Sequence, residues 1–280
     1  MLATSPTERN DVSDLQQLLA ETCRIATAAG ELIERIRVEG FEASTKGDHS
    51  PVTRADHEAD ALLRSRLQKL RPVGWLSEET ADNPARLSLD RLWVVDPLDG
   101  TKEFVKGLPE YSVAVALVEH GEPLLGVVHN PATGDTFSAA RGAGAFRNGQ
   151  PIKCSDGPLV LASRSETARG EFEPFADAWE VRPVGSIQLK LALVAAGEAA
   201  VTFSRGPKHE WDVCAGALIV SEAGGAATDV FGSPLRYNQP FPKVKGILAG
   251  ATPAYARALR QIEAIGASKR MDEFADTRDI

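Results

Sequence analysis

The run Trp93-Val94-Val95-Asp96-Pro97-Leu98-Asp99-Gly100-Thr101 constrains this chain more than any other segment. Its apolar, β-branched start favours a strand, and that strand carries two carboxylates, three residues apart, to one end of a sheet. Pro97 cannot continue a sheet ladder and Gly100 admits backbone angles that other residues avoid, so a turn is expected there, bringing Asp96 and Asp99 together. Two like charges that close need a cation or a proton. A hard divalent ion such as Mg²⁺ meets that need, because it takes carboxylate, carbonyl and water oxygens. If Gly100 and Thr101 open a helix or a tight turn, their N–H groups form an anion site beside the ion, suited to a phosphate. The plainer reading of Asp-Pro-x-Asp-Gly is a polar turn.

The rest of the chain has a globular composition: 280 residues, 43% hydrophobic and 25% charged. With 31 Lys and Arg against 39 Asp and Glu the net charge is −8, which argues against a protein that coats nucleic acid. Cys23, Cys154 and Cys214 are odd in number and far apart. They offer neither a disulfide framework nor a zinc spacing, which points to a reduced, cytoplasmic setting. The histidines His49, His57, His120, His129 and His209 show no paired spacing either, so a zinc hydrolase is not expected. Met1 to Asp14 is polar and no apolar run approaches bilayer length, so neither an export signal nor a membrane span is expected. Gly142-Ala143-Gly144-Ala145-Phe146-Arg147 begins like a dinucleotide loop, but Arg147 stands where the third glycine belongs, and it reads as a turn.

Apolar positions from Leu15 to Ile36 recur at helical spacing, with Ser13 as the expected N-cap. A polar link containing Lys46, Gly47 and Asp48 leads to a second helix, from Asp56 to the stop at Arg71-Pro72. A short strand at Trp75-Leu76 precedes Ser77-Glu78-Glu79, and strands at Leu92–Val95, Ser112–Val118 and Leu124–His129 form an antiparallel meander. After a turn region from Gly142 to Pro151 the pattern alternates. Strands are expected at Leu159–Ser163, Val181–Val184 and Ala199–Phe203, and helices near Glu171–Trp179, Ile187–Ala196 and Val213–Ala223, the last ending at Gly224-Gly225. The expected fold class is α/β, an α+β half over residues 1–152 and an α/β half over 153–280, with a mobile polar end from Ser268.

Other acids fit the metal idea less specifically. One of Glu78 and Glu79 is a candidate third ligand, although paired glutamates usually sit on the surface. Asp212 reads as the N-cap of the helix it precedes, yet a carboxylate fixed there also suits a metal. Asp56 has the same default role. A threonine hydroxyl such as that of Thr101 and a nearby carboxylate such as that of Asp56 can orient and deprotonate a water held on a metal.

Taken together, Pro51-Val52-Thr53 with Asp56, Ser77-Glu78-Glu79, Asp96 to Thr101, and Trp211-Asp212 with Gly216, Glu222 and Gly224-Gly225 resemble the Mg²⁺-dependent, lithium-sensitive phosphomonoesterases of the inositol monophosphatase superfamily. Four motifs in the family order, from about Leu15 to Asn238, make the likeness specific. Within it the chain is most similar to 3'(2'),5'-bisphosphate nucleotidases of the CysQ type. That finer likeness rests on Asp99 to Phe104, Gly185-Ser186 with Lys190, Arg205-Gly206-Pro207 and Gly232 to Asn238. An arginine at 205, where inositol phosphatases usually carry an acid, suits a second phosphate.

The resemblance implies a layered α-β-α-β-α sandwich whose two halves share one cleft. It implies Mg²⁺ bound by Glu78, Asp96, the Leu98 carbonyl, Asp99 and Asp212. It places the phosphate on the Gly100 and Thr101 N–H groups, the attacking water on Thr101 and Asp56 with Glu78, and the rest of the substrate on Gly185, Ser186, Lys190 and Arg205. Lys102 and Lys208 are further basic candidates. The implied substrate is a small phosphorylated nucleotide, with the enzyme working in sulfur assimilation and the chain forming a homodimer by analogy. Other small phosphomonoesters, such as inositol or sugar phosphates, are the nearest alternative. A catalytically silent metal- or nucleotide-binding regulator is the alternative of a different class; its mark would be the loss of Asp56, Thr101 or a metal acid, and all are present.

Overall fold

The computed structural model of the chain describes residues 6–45 and 51–266, with side chains from residue 14. The link at Lys46 to Asp48 and the end from Ser268 lie outside them. In chain order the elements are α1 (Pro6–Glu39), β1 (Ala43–Thr45), β2 (Pro51–Thr53), α2 (Arg54–Leu70), β3 (Gly74–Ser77), β4 (Arg91–Asp99), α3 (Thr101–Val105), β5 (Ser112–Glu119), β6 (Glu122–Asn130), β7 (Asp135–Ala140), β8 (Gly144–Arg147) and β9 (Gln150–Ile152). There follow β10 (Leu159–Ser163), α4 (Arg164–Ala168), β11 (Glu180–Val184), α5 (Ile187–Ala195), β12 (Val201–Ser204), β13 (Lys208–His209), α6 (Cys214–Glu222), β14 (Gly225–Thr228), β15 (Lys243–Val244), β16 (Ile247–Ala251) and α7 (Thr252–Ile265).

Strands β3 to β9 form one sheet in sequence order, antiparallel from β4 onward, as the meander predicts, with β3 parallel to β4. The second sheet, ordered β11-β10-β12-β16-β14, is mixed. Side-chain alternation stacks these sheets into layers. In β4, Trp93 and Val95 pack with the apolar stripes of α1 (Ala26, Ala29, Ile33) and α2 (Ala59, Leu63, Leu67), whereas Leu92 and Val94 face a second core that contains α5, α6 and one side of the other sheet. The far side of that sheet packs under α7, through Ala254, Ala258 and Ile262. The architecture is therefore the layered α-β-α-β-α sandwich, with α5 and α6 as its middle layer.

Several local expectations change. Ser13 lies inside α1, which starts at Pro6, a residue tolerated in a first turn. The strand does not end at Pro97: β4 runs to Asp99, and its register shifts between Asp96, opposite Ala114, and Asp99, opposite Ser112. Three steps on one strand meet two on the other, which is a bulge of one extra residue. In a regular strand Asp96 and Asp99 would face opposite sides; the bulge around Pro97 and Leu98 puts both carboxylates on the side facing the middle layer.

The supposed turn region Gly142–Pro151 holds β8 and β9, joined at Asn148-Gly149, whose φ angles of 51° and 77° fit a tight hairpin turn. The helix expected near Glu171–Trp179 is replaced by α4 and a single 3₁₀ turn at Glu173–Phe175, since Gly170 adopts φ +76° and Pro174 follows. Its apolar spacing reflects burial of Phe172, Phe175 and Trp179 against the second sheet. Among the described residues no helix is long and apolar enough to cross a membrane.

Candidate active site

Segments that follow strands of both sheets meet at one cleft of about 250 Å³. Glu78 follows the end of β3, where its N–H reaches the Val95 carbonyl at 3.3 Å, and Asp96 lies beside it on β4. Asp212 arrives from the loop between β13 and α6. One carboxylate oxygen from each of Glu78, Asp96 and Asp212 lies within 4.8 Å of the others. Asp96 is buried, and its carboxyl is pushed well up, first by that burial and then by the charges of Glu78, Asp99, Asp212 and Asp56. Its Oδ1 accepts the Leu98 N–H at 3.1 Å.

Asp99 also lines the cleft, and burial pushes it up to about 6. Its Oδ2 is held by the Ser186 hydroxyl at 2.6 Å and the Gln188 N–H at 2.7 Å. Ser186, at φ +50°, caps α5 through its hydroxyl and stands 3.0 Å from the Ser112 hydroxyl. The start of α5 thus aims a carboxylate of the first sheet.

Buried behind Thr101, Thr53 and Asp56 form a capping box on α2. Asp56 Oδ2 accepts the Thr53 N–H at 2.7 Å and the Thr53 hydroxyl at 2.8 Å, leaving Oδ1 to accept the Thr101 hydroxyl at 2.9 Å. The Leu98 carbonyl lies 3.0 Å from the same hydroxyl. Gly100, at φ +94°, turns the chain from β4 into α3, and a Cβ there would meet the Glu110 carbonyl at 2.7 Å. The predicted juxtaposition of Asp56 and Thr101 is therefore met, with Asp56 three residues inside the helix whose N-cap is Thr53.

Two sequence expectations, for Asp212 and Arg205, need correction, and Gly185 has a packing role beside the expected one. Asp212 is not an N-cap: Val213 holds that position without a side-chain cap, and Asp212 Oδ2 accepts the His209 N–H at 2.8 Å, folding the loop back on itself. Gly185 lines the cleft but spends its N–H on Glu110 Oε2 at 2.7 Å, and a Cβ would collide with Glu103 at 2.3 Å, so this glycine permits close packing. Arg205 does not line the cleft. Its guanidinium donates to the carbonyls of Gly266 (3.1 Å) and Glu171 (3.0 Å) and lies over the Phe175 ring, because these outward partners satisfy it beneath the second sheet. Arg205→Met is accordingly expected to leave KM for phosphorylated substrates within about twofold while lowering stability by about 1–3 kcal/mol, read by steady-state kinetics and denaturant unfolding.

Lys102, Lys190 and Lys208 do line the cleft, joined by Arg164, which the sequence reading missed. Lys190 is buried and donates to the carbonyls of Val184 and Ser186 at 3.2 and 3.0 Å; burial pulls its ammonium down, and Asp99 and Glu166 oppose that. Arg164 pairs with Glu110 and Lys208 with Glu166. Asp60 was missed too: its carboxylate grips Ser77 at 2.5 Å and Thr80 at 2.7 Å, pinning both ends of the Glu78-Glu79 segment. No sequence spacing announces a partner 17 or 20 residues away.

The donor set tests which ion belongs here. The clustered carboxylates offer only oxygen, and burial of Asp96 among like charges raises the cost of its charge, which a cation would offset. Oxygen donors with room for water suit a hard divalent cation over zinc or copper.

Such a layered fold with a clustered-carboxylate cleft defines a metal-dependent phosphatase, and residues 14–266 match the model of the inositol monophosphatase family. The chain belongs to that family. It is 37% identical over 233 residues to the 3'(2'),5'-bisphosphate nucleotidase CysQ of Escherichia coli strain K12, covering 79% of this chain and 94% of that enzyme. It is 33% identical over 239 residues to an inositol-1-monophosphatase of Rhizobium meliloti, covering 80% and 87%. The crystal structure of CysQ from Bacteroides thetaiotaomicron superposes with a TM-score of 0.69 at 29% identity, with 84% of this chain and 96% of that one aligned.

Proposed function

We propose that the protein is a Mg²⁺-dependent phosphomonoesterase that hydrolyses the 3'-phosphate of 3'-phosphoadenosine 5'-phosphate to AMP and phosphate, and accepts the 5'-phosphosulfate analogue. The observation that carries the chemistry is the meeting of Glu78, Asp96 and Asp212 beside the Asp56–Thr101 pair in one cleft. The substrate reading is supported by the likeness to CysQ of Escherichia coli and by the basic groups along the cleft wall.

In this reading Glu78, Asp96, Asp99, Asp212 and the Leu98 carbonyl hold Mg²⁺. When bound, the ion neutralises the phosphate and makes water a better nucleophile near neutral pH. Asp56 Oδ1 receives a proton through the Thr101 hydroxyl, whose oxygen in turn accepts from the attacking water. Asp56 stays aimed because Thr53 occupies its other oxygen. The Gly100 and Thr101 N–H groups face the phosphoryl oxygens. As the water loses its proton toward Asp56 its oxygen bonds to phosphorus and the P–O ester bond breaks; a solvent water protonates the departing ribose oxygen, and Asp56 returns its proton to solvent. Lys190, Lys208 and Arg164 serve the distal anionic group.

The second reading, an inositol or sugar monophosphate phosphatase, gains from the Rhizobium meliloti relative and from Arg205 turning away from the cleft. Phosphate release from 3'-phosphoadenosine 5'-phosphate and from inositol 1-phosphate decides between them. A kcat/KM at least about tenfold higher for the nucleotide is expected; a preference for the inositol ester overturns the substrate assignment, and no release from either, with Mg²⁺ present, overturns the enzyme.

A further inference from the structure

Two residues that sit outside the cleft join the arms of the acidic cluster. Arg86, in a 3₁₀ turn at Pro84–Ser88, is 2% exposed. Its Nε and Nη2 grip Asp82 at 2.7 and 2.9 Å, Nη1 donates to Asn238 Oδ1 at 2.8 Å, and Nη2 also reaches the Gln239 carbonyl at 2.9 Å. The amide of Asn238 returns a bond to the Arg86 carbonyl at 3.2 Å. Across the same segment, Glu210 is fully buried and its two carboxylate oxygens accept the N–H groups of Asn238 and Gln239, each at 2.8 Å.

The topology gives this relay its meaning. Asp82 and Arg86 lie in the loop that leaves β3 through Glu78. Glu210 lies two residues before Asp212, donates its own N–H to the Pro242 carbonyl, and its carbonyl accepts from Val213 and Cys214 at the start of α6. A continuous set of hydrogen bonds therefore runs from the Glu78 loop, through Asn238-Gln239, to the Asp212 loop. Asn238 is held at φ +60°, a conformation its short amide tolerates. Burying charged groups of this kind is a weak source of stability, so their use here calls for another reason.

We propose that Arg86 and Glu210, acting through Asn238 and Gln239, are positioning residues that hold the Glu78 and Asp212 loops at the separation a divalent cation requires. This rests on the reading of Glu78, Asp96 and Asp212 as a metal site. Outer hydrogen-bond partners of metal ligands typically change affinity by about 10–100-fold when removed.

The test is calorimetric titration of MgCl₂ into the full, EDTA-stripped chain, for wild type, Arg86→Gln and Asn238→Gly. Glycine at 238 keeps the left-handed backbone accessible while deleting the bonds to Arg86, so this variant decides the matter if Arg86→Gln does not fold. Mg²⁺ dissociation constants about 10–100-fold above wild type are expected, with kcat at saturating Mg²⁺ within about threefold. A purely structural role would lower the melting temperature and leave the dissociation constant unmoved. Wild-type affinity in the folded variants overturns the clamp alone; a wild-type chain that takes up no Mg²⁺ overturns the metal site itself and the clamp with it.

Discussion

Asp96→Asn is expected to lower kcat/KM for phosphomonoester hydrolysis by about 10³-fold or more and, in the absence of divalent ions, to raise the melting temperature. Both effects have one origin. Asp96 is 1% exposed within β4, just before its bulge, and Glu78, Asp99, Asp212 and Asp56 all raise the cost of its charge. A cation turns that cost into affinity, and metal stabilisation of charge in a transition state is worth several kcal/mol, each 1.36 kcal/mol being about tenfold in rate. Asparagine retains an oxygen to accept the Leu98 N–H but brings no charge, so the metal-free fold loses repulsion while its local hydrogen bond survives. Thermal unfolding in EDTA and initial rates in Mg²⁺ measure the two halves. An unimpaired enzyme counts against the site, and a less stable metal-free protein counts against the repulsion argument.

Asp56→Asn should reduce kcat by about 10²–10⁴-fold, the usual contribution of a positioned general base, with a much smaller effect on Mg²⁺ binding. The variant also weakens the capping box on α2, because an asparagine cannot accept from Thr53 and Thr101 on both side-chain positions; that costs about 0.5–2 kcal/mol of stability. Thr101→Val removes the hydroxyl at the other end of the 2.9 Å bond. If the two groups work as one relay, the double variant is no slower than the worse single variant, within about threefold. Additive losses in the double-mutant cycle would show that Asp56 and Thr101 act separately.

The acids of the site were legible because they are bound to recognisable local motifs. An apolar strand ending in Asp96 and Asp99, a Ser-Glu-Glu after a short strand and a Trp-Asp before a helix can each be seen in a window of ten residues. Arg205 misled because it stands where inositol phosphatases usually carry an acid and so read as a ligand for a second phosphate, whereas its guanidinium lies on the carbonyls of Gly266 and Glu171. The hairpin at Asn148-Gly149 carried a strong turn signal that the glycine-rich stretch before it obscured. The missing helix near Glu171–Trp179 shows apolar spacing serving burial without helical geometry.

Local sequence determined the meander, the middle helices α5 and α6, the capping box on α2 and the identity of the carboxylates, since propensity, turn chemistry and burial pattern act over a few residues. Long-range packing determined the rest. The bulge in β4 turns Asp99 to the side of Asp96, Ser186 from α5 aims it, and the Arg86–Asn238–Glu210 relay sets the loop of Glu78 against the loop of Asp212. Those partners are separated by up to 152 residues, and their pairing follows from which layer covers which face of the first sheet, a property no window of sequence contains.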